Sequence, residues 1–322
     1  MQEKGSELTV ALNTHVVILG AGFIGLSFSA AFADAGWRVT LADPDSQRRA
    51  AAEAGIGVQR QAIQLAGLGQ QKDGDIIVVG SPDSALGTAD LVLECGPEVL
   101  EIKQAIFVDL FAKTGENTIL TTASSAIPMS RIVPEVRDQT RCLVAHPMNP
   151  PAVLRIIELC PAPGTAPGSM ERAAAMFSGA GFATALLGHE IEGFILNRLQ
   201  GAVLREAYRL VNEGVAEPND IDKAMRLGLG PRWALAGPFE TAELNTPGGI
   251  TAHAERMGPA YRRMGEARGE TVDWSDPLIS RVSDAREVAR SGATIADRAR
   301  WRSRAVARLV ALRDELLGNA NA

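Results

Sequence analysis

The chain opens its first clear pattern at His15-Val16-Val17-Ile18-Leu19, a short apolar run closed by glycine. A run of that length between turn residues predicts a strand buried on both faces of a parallel sheet. Gly20-Ala21-Gly22-Phe23-Ile24-Gly25 follows, then alanine-rich Leu26 to Ala35, which predicts a helix ended by Gly36. Trp37 to Ala42 predicts a second strand, closed by Asp43, so one strand–helix–strand unit is complete by there. Asp75 to Gly80, Ala89 to Cys95, Thr118 to Thr122 and Arg141 to Ala145 predict further strands. Between them, Ser46 to Gln70, broken by glycines, predicts two short helices, and Glu98 to Lys113 one longer helix. Leu154 to Cys160 predicts another strand, and Pro161 to Gly168 a loop.

The pattern changes near Gly193. Phe194 to Glu213 has helical spacing, Pro218-Asn219-Asp220 predicts a cap before another helix, and Ala296 to Leu317 is a charged amphipathic helix. Gly228 to Pro231, Gly237-Pro238 and Pro247 to Gly249 separate the helical pieces. The expected fold class is α/β: a Rossmann-type doubly wound parallel sheet over residues 1–192, with 1–14 a flexible leader, then an all-helical domain over 193–322. A chain of 322 residues exceeds one ordinary core, which agrees with two domains.

Composition narrows the function classes. The formal net charge of -6 argues against a nucleic-acid surface. No uncharged apolar run of about 18 residues is present, so no membrane span is expected. The three cysteines show no CxxC spacing, which points to a reducing cytoplasm and to Cys142 and Cys160 as small buried hydrophobes. No metal site is expected.

Two constellations carry chemistry. In the first, Gly20 permits a tight turn, Gly22 lets backbone approach a pyrophosphate, and Gly25 lets helix and strand pack closely. Strand before, helix after and Asp43 at the next strand end complete a dinucleotide-binding pattern; the acid accepts ribose hydroxyls and repels a 2′-phosphate, favouring NAD. In the second, His146 directly follows a strand, where open α/β sheets place ligands, although a histidine there is also compatible with a satisfied core residue. Glu158 interrupts the apolar strand Leu154 to Cys160. Buried, it needs a partner, and a histidine oriented by it is what alcohol oxidation requires as general base; at an edge it would simply face water.

Gly-Ala-Gly-Phe-Ile-Gly, Glu94-Cys95-Gly96-Pro97-Glu98, Thr122-Ala123-Ser124-Ser125, His146-Pro147-Met148-Asn149-Pro150 and Gly193-Phe194-Ile195-Leu196-Asn197-Arg198 stand in the order of the 3-hydroxyacyl-CoA dehydrogenase superfamily, which nearly the whole chain resembles. Ala145 to Pro151, Gly228 to Arg232 and the helix around Trp301-Arg302 resemble its lambda-crystallin, or L-gulonate 3-dehydrogenase, branch. The resemblance implies His146 as base, Glu158 as its orienting partner, and Ser124 and Asn197 as hydrogen-bonding groups for substrate. It implies contacts to NAD from Gly20, Gly22, Phe23, Ile24, Gly25, Asp43, Glu98, Lys103 and Asn149, and a homodimer through the helical domain. Residue 123 is alanine where the family usually has threonine.

Ser46 to Gly74 is shorter than the helical hairpin that the resemblance assigns to CoA, and Arg232 offers a guanidinium fork suited to a substrate carboxylate. The expected activity is therefore oxidation of the 3-hydroxyl of a small free 3-hydroxy acid, L-gulonate-like, by hydride transfer to NAD. A 3-hydroxyacyl-CoA dehydrogenase is the alternative, and a non-catalytic NAD-binding structural protein is a third reading.

Overall fold

A computed structural model describes residues 14–70, 72, 74–134, 138–235, 237–245, 249–267 and 269, and isolated positions and short pieces between 277 and 315. The leader expected over 1–14 lies, but for its last residue, outside the described residues. The chain forms two compact units, one of residues 1–198 and 303–311 and the other of 199–302 and 312–322.

The first unit is built on an eight-stranded sheet: β1 (His15–Leu19), β2 (Arg38–Ala42), β3 (Ile76–Val79), β4 (Leu91–Glu94), β5 (Ile119–Thr122), β6 (Cys142–Pro147), β7 (Ile156–Pro161) and β8 (Ala183–Leu186). Their order is β3-β2-β1-β4-β5-β6-β7-β8. The strands β1 to β6 pair in parallel, β7 runs antiparallel to β6, and β8 is parallel to β7. The helices are α1 (Phe23–Asp34), α2 (Ser46–Leu65), α3 (Asp83–Leu86), α4 (Leu100–Lys113), α5 (Met129–Ile132) and α6 (Pro167–Gly179).

Alternate residues of one strand enter different cores. Val16, Ile18, Leu91, Leu93, Leu143 and Ala145 pack with Phe28 and Phe32 of α1, Ile56 and Ile63 of α2, and Phe177 of α6. Val17, Val92, Leu120, Cys142 and Val144 pack with Phe107 and Leu110 of α4 and Met129 and Ile132 of α5. The continuous apolar runs are thus explained by helices on both faces of the sheet. Ala307 and Val310, near the C-terminus, are buried in the core of the α1 face, although the sequence pattern groups them with the helical part.

The structure differs from the sequence reading in four further places. Ser46 to Leu65 is a single helix, where two short ones were expected. Its glycines carry a helix penalty of about 1 kcal/mol each. Against that, Ala52, Ile56, Gln59 and Ile63 form one buried stripe, Asp45 caps the N-terminus through the N–H groups of Gln47 and Arg48, and a Cβ at Gly55 would meet Leu26 Cδ1 at 2.7 Å, so α1 and α2 pack through that glycine. The second difference is the reversal at β7, which a period-two pattern cannot reveal because pairing direction is a tertiary property. Third, α6 and the edge strand β8 were not anticipated; the segment Ala-Thr-Ala-Leu has too little apolar contrast.

The fourth lies in the second unit, which contains most of α7 (Leu196–Asn212), then α8 (Pro218–Ala224), a π-helical turn (Met225–Leu229), α9 (Gly230–Leu235), α10 (Pro238–Leu244) and α11 (Gly249–Ala267). Gly228 to Pro231 were expected to break the helix. The wide turn carries it through instead, with Gly230 N–H donating to Met225 O five residues back.

Candidate active site

The ends of β1 and β4 lie side by side, yet the chain leaves β1 toward β2 on one side, so a crevice opens where the strand order reverses. Gly20 stands there at φ 109°, and a Cβ on it would sit 2.7 Å from Cys95 O. A Cβ on Gly25 would sit 1.9 Å from Gly20 O, so this glycine is demanded by the turn itself. Gly22 differs from both: apart from its own chain neighbours, no protein atom lies within 4 Å of the Cβ position. Its neighbour at the start of α1, Phe23, is partly exposed, and Ile24 is half-buried.

Asp43 is buried and works on the loop. Its Oδ2 accepts from Ala21 N–H at 2.8 Å and its Oδ1 from Asp45 N–H at 2.9 Å, while Arg48 Nη1 lies 3.9 Å from Oδ2. A carboxylate offers about four acceptor positions, so capacity remains for hydroxyls. Beside it lies a cavity of about 520 Å³, whose lining includes Asp43, Pro44, Arg48, Pro82, Ile102 and Ile106. A glycine unencumbered by the protein, a helix N-terminus, an acid at the next strand end and an apolar cavity fit a dinucleotide.

The segment after β4 meets the loop after β5. Glu98 Oε1 accepts from Ser124 Oγ at 2.5 Å and from the N–H groups of Ser125 and Ala126 at 2.9 and 3.0 Å. Burial pushes the Glu98 carboxyl up, but the Ser124 hydroxyl, the Ala126 N–H and Lys103 together hold it below its ordinary value. Lys103 is 1% exposed and lies beneath Glu98, with Nζ 2.7 Å from Glu94 Oε2 and 3.3 Å from Glu98 Oε2. Lys103, for which a contact with NAD is expected, is covered here, with its ammonium held between Glu94 and Glu98. Glu94 completes the network, accepting also from Thr122 Oγ1 at 2.6 Å and from Gly96 N–H at 2.6 Å. Ala123, the departure from the family pattern, donates its N–H to Glu94 O. Burial pushes the Cys95 thiol well up, which disfavours the thiolate.

The third group is the histidine. Residues 146 and 158 are direct partners across the antiparallel β6–β7 pair. His146 Nδ1 lies 2.7 Å from Glu158 Oε2, with the imidazole 7% exposed and the carboxylate wholly buried. The other oxygen, Oε1, accepts from Ile195 N–H at 2.7 Å and Leu196 N–H at 2.9 Å. These donors sit at the N-terminus of α7, where the helix dipole favours an anion. A buried carboxylate with both oxygens satisfied is the arrangement that burial demands. One residue on, Asn197 Nδ2 donates to Ser125 O at 2.7 Å, tying the start of α7 to the Ser124 loop.

The structure therefore joins Ser124, His146, Glu158, Asn197, Glu98 and Lys103 through one run of hydrogen bonds and backbone. Asn149 is exposed just past β6, and Arg232 is exposed on α9 of the second unit. Glu94 and Phe194 stand within the family motifs, and the sequence assigns neither a role. Glu94 had a usable signal, since an acid ending the apolar strand Leu-Val-Leu-Glu raises the same question as Glu158. The Phe194 signal is conformational and has no counterpart in sequence. Among the described residues, no cluster of three or more potential metal ligands occurs, and no helix is long and apolar enough to cross a membrane.

A largely parallel sheet with a dinucleotide crevice, and a buried histidine–carboxylate pair at the end of β6, fit an NAD-dependent oxidoreductase acting on CH–OH groups. Two family models match the chain: the NAD-binding domain of 3-hydroxyacyl-CoA dehydrogenase over residues 15–226 and the C-terminal domain of the same enzymes over 193–292. The chain belongs to the 3-hydroxyacyl-CoA dehydrogenase family. It is 36% identical to the lambda-crystallin homolog of Bos taurus over 94% of this chain and 96% of that one. It is 32% identical to the L-carnitine dehydrogenase of Streptomyces griseus over 91% of this chain and 88% of that one. Among solved structures, the fold is shared with 5-formyl-3-hydroxy-2-methylpyridine 4-carboxylic acid 5-dehydrogenase, an NAD+-dependent dismutase, at a TM-score of 0.78 and 24% identity, covering 95% of this chain and 99% of that one.

Proposed function

We propose that this protein oxidises the 3-hydroxyl of a small free 3-hydroxy acid, L-gulonate-like, to the 3-keto acid. The observation that carries the proposal is the buried His146–Glu158 couple, which leaves Nε2 as the ring nitrogen available to a substrate. With Nδ1–H directed at Glu158, that nitrogen carries a lone pair and can take the hydroxyl proton. Glu158 then faces a cationic ring, and the N–H groups of Ile195 and Leu196 keep the carboxylate from turning away. Bound NAD supplies the hydride acceptor, held by Gly20 to Gly25, Asp43, Glu98 and Asn149.

Ser124 and Asn197 hydrogen-bond the reacting oxygen in this reading. Ser124 donates to Glu98, so its hydroxyl turns toward substrate when substrate is present; Glu98 keeps the Ser125 and Ala126 N–H groups and Lys103 as partners. Arg232 anchors the carboxylate of the acid. Support for a free acid comes from the curated relatives, since L-carnitine is itself a free 3-hydroxy acid. It comes also from α2, which is followed by no second helix before β3 among the described residues. A cytoplasmic homodimer belongs to the same reading, supported by three free cysteines and by Leu199, Val203 and Leu204 exposed along α7.

The test is NADH formation with a panel of free 3-hydroxy acids and their matched CoA thioesters. Turnover of free acids alone is expected. Turnover confined to the thioesters would replace this substrate class by acyl-CoA, and tight NAD binding with no turnover would assign a structural role.

A further inference from the structure

The turn that leads from the sheet into α7 is strained at one residue. Phe194 has φ 50°, the only positive value among the described non-glycine residues, and follows Gly193 at φ 78°. A side chain in this region is disfavoured and persists where its surroundings over-determine it, commonly beside a functional group. Here both halves of the residue are engaged. The ring is 1% exposed, packs in the core shared by Val17, Val144 and Leu187, and lies 5.3 Å from the His146 ring at an interplanar angle of 43°. The backbone conformation directs the next two N–H groups, Ile195 and Leu196, onto Glu158 Oε1.

We propose that Phe194 is a positioning residue for the acid–base couple: its left-handed backbone aims the donors that hold Glu158, and its ring walls the His146 imidazole so that Nε2 keeps one direction. The role deepens the dehydrogenase reading and rests on it for what His146 does, though the geometry stands without it. A ring free to tilt would misplace the accepting nitrogen even with every catalytic atom present.

Two substitutions grade the wall while leaving the backbone turn in place. Phe194→Gly suits the left-handed backbone and removes the wall; Phe194→Leu keeps an apolar but blunter wall. Steady-state kinetics and NAD binding are measured together with solvent exchange of the His146 Nδ1–H proton, read by NMR on histidine-labelled protein and assigned with His146→Gln. For Phe194→Gly, kcat falls about tenfold to a hundredfold, the scale set by small misplacements in an active site. Its NAD dissociation constant stays within about twofold, because the Gly20–Gly25 loop is a separate site. Its Nδ1–H proton exchanges at least about tenfold faster, since the couple opens more readily. Phe194→Leu falls between Gly and wild type in both readouts. Wild-type kcat and wild-type exchange in either folded variant, even with a lowered Tm, would reduce Phe194 to core packing and end the proposal. If the wild-type protein oxidises no acid, the exchange measurement decides alone: faster exchange upholds the positioning role while the substrate reading falls, and unchanged exchange overturns it.

Discussion

Replacing Glu158 by glutamine tests the acid–base couple with almost no change of shape. The carboxylate accepts three hydrogen bonds: Oε2 from His146 at 2.7 Å, and Oε1 from Ile195 and Leu196 at 2.7 and 2.9 Å. Glutamine has one acceptor oxygen and one NH2 group. If the oxygen faces His146, the NH2 group is pressed against two backbone donors at a fully buried position. If the oxygen faces the two backbone donors, NH2 meets Nδ1, which must then be the unprotonated nitrogen, and Nε2 carries the proton it is required to accept. The second arrangement satisfies more groups, so the variant folds with the wrong tautomer. General-base catalysis contributes about 10²- to 10⁴-fold, which sets the loss expected in kcat. That corresponds to roughly 3 to 5 kcal/mol of activation free energy. Stability falls by about 1.5 to 3 kcal/mol, the worth of hydrogen bonds to a charged group. The assay is NADH formation from the best acid of the panel, with NAD binding measured separately and expected to be unchanged. Adding His146→Gln to Glu158→Gln should bring little further loss, because the pair acts as a unit. A Glu158→Gln variant within about tenfold of wild type would fall outside the range of base catalysis and refute the tautomer argument.

The glycines make a contrasting pair. Gly22→Ala meets no protein atom, so its stability stays within about 0.5 kcal/mol of wild type while NAD binding weakens; calorimetry and thermal melts showing both unchanged would contradict the assignment. Gly25→Ala places a Cβ against Gly20 O and is expected to lower Tm as well as NAD affinity, with an unchanged melt as the contrary result. Arg232→Met should raise KM for a free acid far more than it lowers Tm; an unchanged KM removes Arg232 from the substrate site. Glu98, held below its ordinary value of 4.5, contributes stability that is present above that pH and lost as pH falls through its folded value. The stability gap between wild type and Glu98→Gln should therefore narrow on acidification below 4.5, and a gap that widens there reverses the sign of the reasoning.

Much of this molecule is local enough to read along the chain. The span His15–Leu19 is apolar at every position but its first because helices cover both faces of the sheet, and its strand boundaries agree with the pattern residue for residue. The Gly20–Gly22–Gly25 spacing is a property of one turn, and a buried acid in an apolar run announces a partner without naming the distance. What the pattern could not carry depends on contacts between distant segments. Glycines at 55 and 57 read as breaks because propensity is local, whereas the helix persists through a buried stripe and through packing against Leu26. By its own pattern Lys103 is a solvated helix charge, the resemblance alone implies a contact with NAD, and only the fold places Glu94 and Glu98 around it.

The residue types and their order along the chain were enough to predict a dinucleotide fold, its cofactor and a carboxylate in need of a partner, since each follows from local pattern and spacing along the chain. The antiparallel reversal that sets 146 opposite 158, the strained Phe194 that fastens α7 to that pair, and the burial of Lys103 beneath Glu98 were decided by tertiary structure alone. Strand direction, left-handed backbone and desolvation arise from the packing of segments far apart in sequence, and no single stretch of residues encodes them.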